Sequence, residues 1–177
     1  MPQADELSIE LRAIESGDRV TGLSLGHERF TPLKTFLQKH AKDYSDRLLA
    51  KSYGGFQGGK ILGYVTLVCG EIAAEDDAAM VDAGSAGYRY KHYPAVKIAR
   101  LAVDRRIRGS GLGRNLVEFA LGMAKHDIST IIGCRFVVVD AKQESVEFYK
   151  KVGFRLLDTP ANHDRSEPIM FIDLLRV

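Results

Sequence analysis

Three glycines alternate with other residues at the junction between an apolar segment and a helical pattern. The segment Arg108-Gly109-Ser110-Gly111-Leu112-Gly113 follows apolar residues that end at Val103 and opens an amphipathic stretch. Glycine lets backbone N–H groups converge on a ligand, because it lacks a Cβ and readily adopts positive φ. Helix N-termini add unpaired N–H donors and a positive dipole end. The sequence therefore predicts a strand–turn–helix unit that binds a phosphate group.

Two other interpretations of the turn are a packing turn without a ligand and a dinucleotide-binding loop. A dinucleotide loop has the spacing G-x-G-x-x-G, with an acidic residue after the next strand. Asp140 follows the next predicted strand, but the spacing here is G-x-G-x-G and few strand–helix units surround it. The sequence contains no Gly-Lys-Ser/Thr, which excludes a nucleoside triphosphate loop of that type.

Length and composition indicate one globular domain over residues 1–177. The chain is 45% hydrophobic and 27% charged, which excludes a disordered or coiled-coil protein. No apolar run approaches the ~20 residues needed to span a bilayer, and the N-terminus does not resemble a secretory signal. Cys69 and Cys134 lack metal-ligand spacing, so we expect a cytoplasmic protein with no metal site.

The net charge of +2 conceals three charged stretches. Residues 29–51 carry six cations against two acidic residues, and residues 104–114 carry four arginines against Asp104. Residues 71–82 carry five acidic residues and no cation. Such stretches are usually solvated faces, but the arginines of residues 104–114 surround the glycine turn. We expect that part of the basic charge to serve a ligand phosphate.

The hydrophobic pattern predicts alternating strands and helices in a single mixed α/β domain. Period-2 alternation predicts a strand at the N-terminus, and Gly58-Gly59 predicts a two-residue hairpin turn. The predicted strands are 7–12, 50–57, 60–72, 95–103, 135–140, 154–157 and 169–175; the predicted helices are 32–44, 112–127 and 142–152; and residues 73–94 form a long loop.

Three segments together resemble the GCN5-related N-acetyltransferases (GNAT superfamily). Arg108 to Gly113 match the motif Q/R-x-x-G-x-G/A, and Leu101-Ala102-Val103 resemble the central strand of that family. Phe148 to Phe154 resemble its F-Y-x-x-x-G-F signature. The resemblance implies a single GNAT domain of mixed α/β (α+β) class. Its mixed, mostly antiparallel sheet would have about six or seven strands flanked by helices, somewhat above the usual strand number.

The resemblance also implies a reaction and the residues that hold its cosubstrate. Acetyl-CoA would donate an acetyl group directly to a primary amine, and the Val103 N–H would donate to the thioester carbonyl. Lys142 stands where many members have asparagine, and is a candidate contact for a cofactor phosphate. The implied cosubstrate-binding residues are Leu101, Val103, Arg108, Gly109, Ser110, Gly111, Leu112, Gly113 and Lys142.

Tyr149 is the candidate general acid that protonates the leaving thiolate. Ala141, Ser145, Phe148 and Val152 form a stripe at helical spacing that we expect to face the core. Tyr149 lies about 100° from this stripe, where its hydroxyl would reach a cleft. Without the family resemblance, a tyrosine that packs its ring at a helix C-terminus is the simpler interpretation.

The sequence leaves the general base open. Glu71, His92, Asp104 and His163 are candidates, and for each a structural or surface role is the simpler interpretation. An α-amine with a pKa of ~8 is roughly one-tenth neutral at pH 7, whereas a lysine side chain at ~10.4 is almost entirely charged. Only a lysine substrate would therefore depend strongly on a base.

One branch of the superfamily is particularly similar. The segments R-L-A-V-D, R-G-x-G-L-G, V-V-D-A and F-Y-x-x-x-G-F resemble acetyltransferase toxins of bacterial type II toxin–antitoxin pairs, which acetylate aminoacyl-tRNA. This resemblance implies tRNA and an antitoxin as possible partners, with basic surface from residues 29–51 and 105–114 and aromatic rings from Tyr88 to Tyr93. The low net charge and the acidic stretch oppose RNA binding.

Other functions remain open at this stage. A housekeeping acetyltransferase for a small amine or a protein N-terminus fits the same motifs. A non-catalytic acyl-CoA-binding module on the same fold is the alternative from a different class, although the intact glycine motif and Tyr149 favour an enzyme. A homodimer is common in the family, and no membrane association is expected.

Overall fold

The computed structural model describes residues 8–73, 88 and 90–177. The chain divides into two compact units. Unit 1 comprises Met1–Val68 with Ala99–Ala120, and unit 2 comprises Cys69–Ile98 with Leu121–Val177. Two of the boundaries fall inside long strands, so each of these strands is divided between the two units.

The strands are β1 (Glu10–Ala13), β2 (Lys51–Gln57), β3 (Lys60–Ala73), β4 (His92–Val103), β5 (Phe136–Asp140), β6 (Arg155–Leu156) and β7 (Ile169–Asp173). They form a seven-stranded sheet in the order β1-β2-β3-β4-β5-β7-β6. The β4–β5 pair is parallel, while the pairs β1–β2, β2–β3, β5–β7 and β6–β7 are antiparallel. The predicted mixed, mostly antiparallel sheet is confirmed.

The hairpin between β2 and β3 forms as the sequence predicts. Gly58 and Gly59 have φ values of 53° and 72°, and two consecutive positive φ values match the twist of the flanking strands. Gln57 pairs with Lys60 across the turn. The turn therefore sets the register of the adjoining residues, and an irregularity between Gly55 and Phe56 shifts the register of the rest of the pair.

Unit 1 also contains the helices α1 (Thr31–Lys39) and α2 (Ala41–Asp46). Pro32 occupies the first turn of α1, where the missing N–H has no helical partner to lose. Phe36 and Leu37 are the buried residues of α1. They belong to the core of unit 1, which comprises Ile14, Val20, Leu23, Leu25, Phe36, Leu37, Ala41, Phe56, Ile61, Tyr64 and Ala102.

The helix after the glycine turn changes its winding along its length. Helix α3 (Leu112–Gly122) continues into a π-helical stretch, Met123–Ile128, and then into the single turn α4 (Ser129–Ile131). The buried residues of α3 are Leu112, Leu116, Val117 and Ala120, which lie on one face, as expected of an amphipathic helix. Helical conformation extends a few residues beyond the predicted end.

Unit 2 is built around β5, whose residues Phe136 to Val139 are all buried. An unbroken apolar strand of this kind is covered on both faces, as predicted. The core of this unit comprises Ile72, Tyr93, Ala95, Phe136, Val138, Leu157 and Phe171.

Several boundaries differ from the predictions, and the predicted helix 32–44 is divided at His40 into two helices. The first strand begins at Glu10, since residues 8 and 9 belong to no strand and Leu7 lies outside the described residues. Strand β4 begins at His92, three residues before the predicted Ala95. The predicted loop 73–94 falls mostly on residues 74–87 and 89, which lie outside the described part of the chain.

The segment between β6 and β7, where no helix was predicted, contains a helical turn. Helix α5 (Val146–Lys151) precedes β6, and Pro160–His163 follows it as α6, with the side-chain oxygen of Thr159 capping its N-terminus. The buried Asn162 amide donates to Leu157 O at 2.9 Å and to Ile169 O at 3.0 Å, and its oxygen accepts from Ile169 N–H at 2.8 Å. One asparagine thus satisfies three backbone groups between β6 and β7, which composition alone did not indicate.

Candidate active site

The glycine turn has the conformation that an anion-binding loop requires. Gly109 and Gly111 have φ values of 87° and 93°, and a Cβ at either position would meet no atom within 4 Å. Glycine is therefore needed here for the backbone conformation and not to avoid a protein neighbour. Within the described residues, the N–H groups of Gly109, Gly111 and Gly113 donate to no protein acceptor. Three free donors at the start of α3 fit the pyrophosphate of coenzyme A.

The segment before the glycines is fixed by a buried carboxylate. Asp104 is 1% exposed and accepts from Ser24 N–H at 2.9 Å and Arg106 N–H at 2.9 Å. The Arg106 guanidinium contacts both carboxylate oxygens, at 2.8 and 2.6 Å. These hydrogen bonds hold the pKa of Asp104 well below its usual range. The carboxylate thus ties the turn to the loop that precedes α1.

Arg108 lies at the edge of the same loop. Its Nη2 donates to Leu25 O at 2.8 Å, and its guanidinium carbon is 5.4 Å from the centroid of the Phe30 ring. The side chain is exposed, and a guanidinium has five N–H donors. Arg108 can therefore keep its contact with Leu25 while it binds a phosphate.

The end of β4 presents a backbone donor beside the turn. The Asp104 N–H donates to Leu62 O of β3 at 2.8 Å. Because successive N–H groups of a strand point to opposite sides, the Val103 N–H points away from β3. The parallel ladder with β5 covers only residues 95–98 of β4. The Val103 N–H is thus outside both ladders, as its predicted role requires.

Tyr149 occupies a different environment from the one predicted. It is the buried residue of helix α5, with 6% exposure, whereas Phe148 is only half-buried. The prediction that the stripe through Phe148 faces the core is wrong. The reason is that residues 143–145 form a 3₁₀ turn, and its tighter winding shifts the phase of α5 relative to Ala141.

The Tyr149 ring is held by aromatic contacts. It packs edge-on against Phe148 at 5.2 Å and Phe154 at 5.3 Å between ring centroids. Its hydroxyl has no hydrogen-bond partner among the described residues, and no fully buried side-chain polar atom there lacks one. The oxygen therefore keeps some contact with solvent. Burial raises the pKa of Tyr149, so the hydroxyl remains protonated and able to donate.

Lys142 precedes the 3₁₀ turn that leads into α5. Its side chain is half-buried and does not cap the turn. The neighbouring Asp140 is already paired, with Lys97 Nζ at 2.5 Å and with Arg165 at 3.7 Å. The Lys142 charge is therefore not needed by Asp140, which leaves the predicted cofactor contact available to it.

The four candidate bases differ in their surroundings. Asp104 is fully engaged by Ser24 and Arg106, so the structure gives it a structural role. The exposed Glu71 and His92 lie 3.9 Å apart. His163 pairs with Asp158 at 3.0 Å on the surface. None of these four residues is a buried, unpaired base.

Some cations of the basic stretch of residues 29–51 bind protein groups, and others are exposed. Lys42 donates to Ser16 O and Asp18 O, both at 2.7 Å, and Arg47 pairs with Asp43 at 3.5 Å. Lys34 and Lys39, both on α1, are exposed. These two lysines are the part of the stretch that is most available to an external anion.

The aromatic residues near the start of β4 form a small exposed shelf. Tyr88 stacks on Tyr93 with 4.5 Å between ring centroids, and Tyr90 lies 5.4 Å from Tyr88. Tyr90 is 75% exposed. Within residues 8–73, 88 and 90–177, no helix is long and apolar enough to cross a membrane, and no group of His, Cys, Asp or Glu is arranged to hold a metal ion.

The fold and the free donors at the glycine turn together fit an acyl-CoA-dependent acetyltransferase. A family model described as "Acetyltransferase (GNAT) domain" matches residues 70–167, which is more than half of the chain. The chain therefore belongs to the GNAT acetyltransferase family. It is an N-acetyltransferase that uses acetyl-CoA as its acetyl donor, as the sequence predicts.

Two relatives match this chain over different lengths. A tRNA-acetylating toxin of Mycobacterium tuberculosis is 28% identical over 153 residues, covering 86% of this chain and 87% of the relative. The peptidyl-lysine N-acetyltransferase YjaB of Escherichia coli is 35% identical over 77 residues, covering 44% and 48%.

Solved structures show the same fold. A Tyr-to-Phe mutant of KacT superposes with a TM-score of 0.80 at 23% identity, covering 96% of each chain. AtaT in complex with acetyl-methionyl-tRNAfMet gives a TM-score of 0.79 at 22% identity, also covering 96% of each chain. Sequence identity of 22–23% to these structures shows a shared fold and does not by itself show a shared substrate.

The sequence did not point to the residues that hold the turn in place. Ser24 and Gly26 belong to a segment without periodicity, yet Ser24 binds Asp104 and a Cβ on Gly26 would lie 2.9 Å from Arg105 Cδ. The only signal in the sequence was Asp104 itself, an acidic residue directly after an apolar strand and before two arginines.

Proposed function

We propose that the chain transfers the acetyl group of acetyl-CoA to the α-amino group of an aminoacyl-tRNA. The observation that carries this proposal is the similarity to a tRNA-acetylating toxin, which spans 86% of this chain and 87% of the toxin. The structural likeness to AtaT complexed with acetyl-methionyl-tRNAfMet supports it over 96% of each chain. The exposed Lys34 and Lys39 supply cations for a phosphate backbone.

In this proposal the whole chain acts as one catalytic domain. The N–H groups of Gly109, Gly111 and Gly113 bind the pyrophosphate. The side chains of Arg108 and Ser110 lie beside them. The backbone of the end of β4 lines the acetyl-pantetheine arm, and a lysine before α5 contacts a cosubstrate phosphate. The full set of proposed cosubstrate-binding residues is Leu101, Val103, Arg108, Gly109, Ser110, Gly111, Leu112, Gly113 and Lys142.

The chemistry needs little help from a base. The neutral amine attacks the thioester carbonyl, whose developing negative charge is stabilised by the Val103 N–H. The carbon–sulfur bond breaks and Tyr149 gives its phenolic proton to the departing thiolate. The nitrogen releases its extra proton to water, and the solvent returns a proton to the Tyr149 phenolate. An α-amine of pKa ~8 is neutral often enough at pH 7 for this route. The lack of an unpaired base among the four candidates is consistent with it.

A lysine acetyltransferase is the second candidate, because YjaB shares 35% identity over 77 residues with this chain. A lysine side chain with a pKa near 10.4 requires a base. Glu71 and His92, 3.9 Å apart on the surface, are the pair that would have to supply it.

Incubation of the purified protein with labelled acetyl-CoA separates these substrates. The acceptors are charged tRNA, uncharged tRNA, the free amino acid, a lysine peptide and a polyamine. We expect label in charged tRNA alone, recovered as the N-acetyl amino acid after mild base. Label in the peptide or the polyamine, with none in charged tRNA, would contradict the proposal.

We also propose that a toxin–antitoxin setting follows from this activity. Acetylation of charged tRNA stops translation in the cytoplasm, so a cell that makes the protein needs an inhibitor. AtaT has been solved bound to the C-terminus of the antitoxin AtaR. Expression of this chain alone should arrest growth, and a small adjacent gene should relieve the arrest. Harmless expression of an active enzyme would overturn this part.

A further inference from the structure

Strand β4 carries an arginine to which the mechanism above gives no role. Arg100 directly precedes Leu101, and its guanidinium carbon lies 3.6 Å from the centroid of the Phe36 ring on α1. The side chain is half-buried. A guanidinium above an aromatic face keeps its N–H donors free in its own plane. Phe36 therefore orients Arg100 without using its hydrogen bonds.

Arg100 has no acidic partner in the described part of the chain. No carboxylate pairs with it there, and no hydrogen bond uses its guanidinium. A partly desolvated cation with no counter-ion among the described residues is unfavourable, which favours an anionic ligand at this position. Three other arginines, by contrast, each hold a carboxylate: Arg12 with Asp18, Arg106 with Asp104, and Arg135 with Asp173.

The surroundings of Arg100 do not neutralise its charge. The nearby Tyr64 is fully buried, and its hydroxyl donates a hydrogen bond to Leu33 O at 2.7 Å. Burial raises the pKa of Tyr64, and the positive charge of Arg100 acts in the opposite direction. Tyr64 therefore stays an uncharged phenol and supplies no negative charge to Arg100.

Phosphate is the anion that every aminoacyl-tRNA offers. At the end of an aminoacyl-tRNA, the amine is a cation and the ester is neutral, so the negative charges that do not depend on the amino acid are phosphodiesters. The planar fork of arginine matches phosphate through two parallel hydrogen bonds. Phe36 also connects Arg100 to α1, the helix that carries the exposed Lys34 and Lys39.

The spacing along β4 agrees with this assignment. Arg100 and Val103 are three residues apart on one strand, so their α-carbons are ~10 Å apart. In an aminoacyl-tRNA, about eight covalent bonds separate the α-amine from the nearest phosphorus, a reach of up to ~10 Å from ordinary bond lengths. We infer that Arg100 binds the phosphate that joins the last two nucleotides of the acceptor, and so selects an aminoacyl nucleotide over other amines. This inference rests on the proposed function.

The test uses two acceptors that differ only in one phosphate. The first is an aminoacyl-adenosine with an amide in place of the labile ester, and the second is the same compound with a 5′-phosphate. For the wild-type protein we expect kcat/KM to be at least about tenfold higher for the phosphorylated compound, the range of a charge-assisted hydrogen bond. Arg100→Met should remove this preference, and Arg100→Lys should retain part of it.

The controls separate recognition from folding. Arg19→Met removes an exposed cation elsewhere in unit 1, and should leave the preference intact. The KM for acetyl-CoA and the rate with the unphosphorylated compound should stay unchanged in Arg100→Met. If the rates with both compounds fall equally, Arg100 only stabilises the strand, which overturns the inference.

The outcomes also distinguish the inference from the function on which it rests. If charged tRNA is acetylated but the wild-type protein shows no phosphate preference, the inference fails and the proposed function stands. If neither charged tRNA nor either nucleoside compound is acetylated while a lysine peptide is, both fail together.

Discussion

At the scale of single residues, Tyr149 combines a buried ring with a hydroxyl that can donate a proton. Its ring is enclosed by Phe148 and Phe154, and the hydroxyl has no protein partner in the described residues. The residue is thus fixed in orientation while its proton stays available. Because burial raises the pKa of Tyr149, its deprotonation should not reduce kcat as the pH approaches the ordinary tyrosine value of ~10.

Tyr149→Phe should lower kcat at least about tenfold, since a general acid contributes ~10² to 10⁴ in rate. The KM for acetyl-CoA and the thermal unfolding midpoint should change little, because the hydroxyl makes no hydrogen bond within the described chain. Steady-state kinetics and a melting curve check both points. An unchanged kcat would remove Tyr149 from the mechanism.

At the scale of elements, the glycine turn joins strand β4 to helix α3 and exposes three N–H donors. Its conformation is strained for any residue with a Cβ, since Gly111 has a φ of 93°. The hairpin glycine Gly59 has a φ of 72° and also faces open space. The two positions therefore carry a similar conformational demand, and only the first lies at the proposed ligand site.

Gly111→Ala and Gly59→Ala should each destabilise the fold by about 1 kcal/mol, the usual penalty for a left-handed residue with a Cβ. Gly111→Ala alone should raise the KM for acetyl-CoA, because the strained loop no longer directs its N–H groups at one anion. Denaturant unfolding and kinetics on both variants compare the two effects. A similar rise in Gly59→Ala would mean that reduced stability explains the result.

The link between the turn and the loop before α1 depends on Asp104. Asp104→Asn should reduce the free energy of unfolding by about 2 kcal/mol at neutral pH, since a buried charged acceptor is removed. The native hydrogen bonds lower the pKa of Asp104, so its stabilisation is complete above the unfolded value of ~3.9 and is lost progressively as the pH falls from there to the lower native pKa. Unfolding measured at pH 7 and near pH 3 should therefore show a difference between variant and wild type that shrinks in acid.

At the scale of the whole molecule, the net charge of +2 says little about RNA binding. The useful quantity is which cations the fold leaves unpaired. Lys42 and Arg47 are engaged by protein groups, whereas Lys34 and Lys39 project from α1. The proposed RNA-binding surface is therefore smaller than the basic stretch of the sequence.

The double variant Lys34→Glu/Lys39→Glu should raise the KM for charged tRNA severalfold. The salt dependence of tRNA binding should also weaken, by about one unit of log–log slope for each phosphate that the variant no longer neutralises. Lys60→Glu, at the exposed hairpin, is the matched control. The KM for acetyl-CoA should not move in either protein. A double variant with wild-type tRNA kinetics would exclude α1 from the RNA surface.

Most of the fold could be predicted from sequence because its signals are local. Strand alternation, the Gly58-Gly59 turn and the strand–turn–helix unit depend on residues a few positions apart, and their elements formed where expected. The phase of α5 could not be predicted, since three residues of 3₁₀ winding rotate Tyr149 into the position expected for Phe148. The role of Asn162 could not be predicted either, because its partners lie five and seven residues away on the two sides of a loop.

The candidate site also has one part that could be predicted from the sequence and one part that could not. The sequence by itself determined the glycine turn, because backbone freedom at glycine and donors at a helix start are local properties. The family and the cosubstrate followed from the resemblance of three short motifs, which are local as well. Only the tertiary structure decided which charges are free. Asp104 and Lys42 are engaged by segments far away in the chain, whereas Arg100 rests on Phe36 without a counter-ion in the described residues. Pairing between distant segments depends on packing, and no local pattern encodes it.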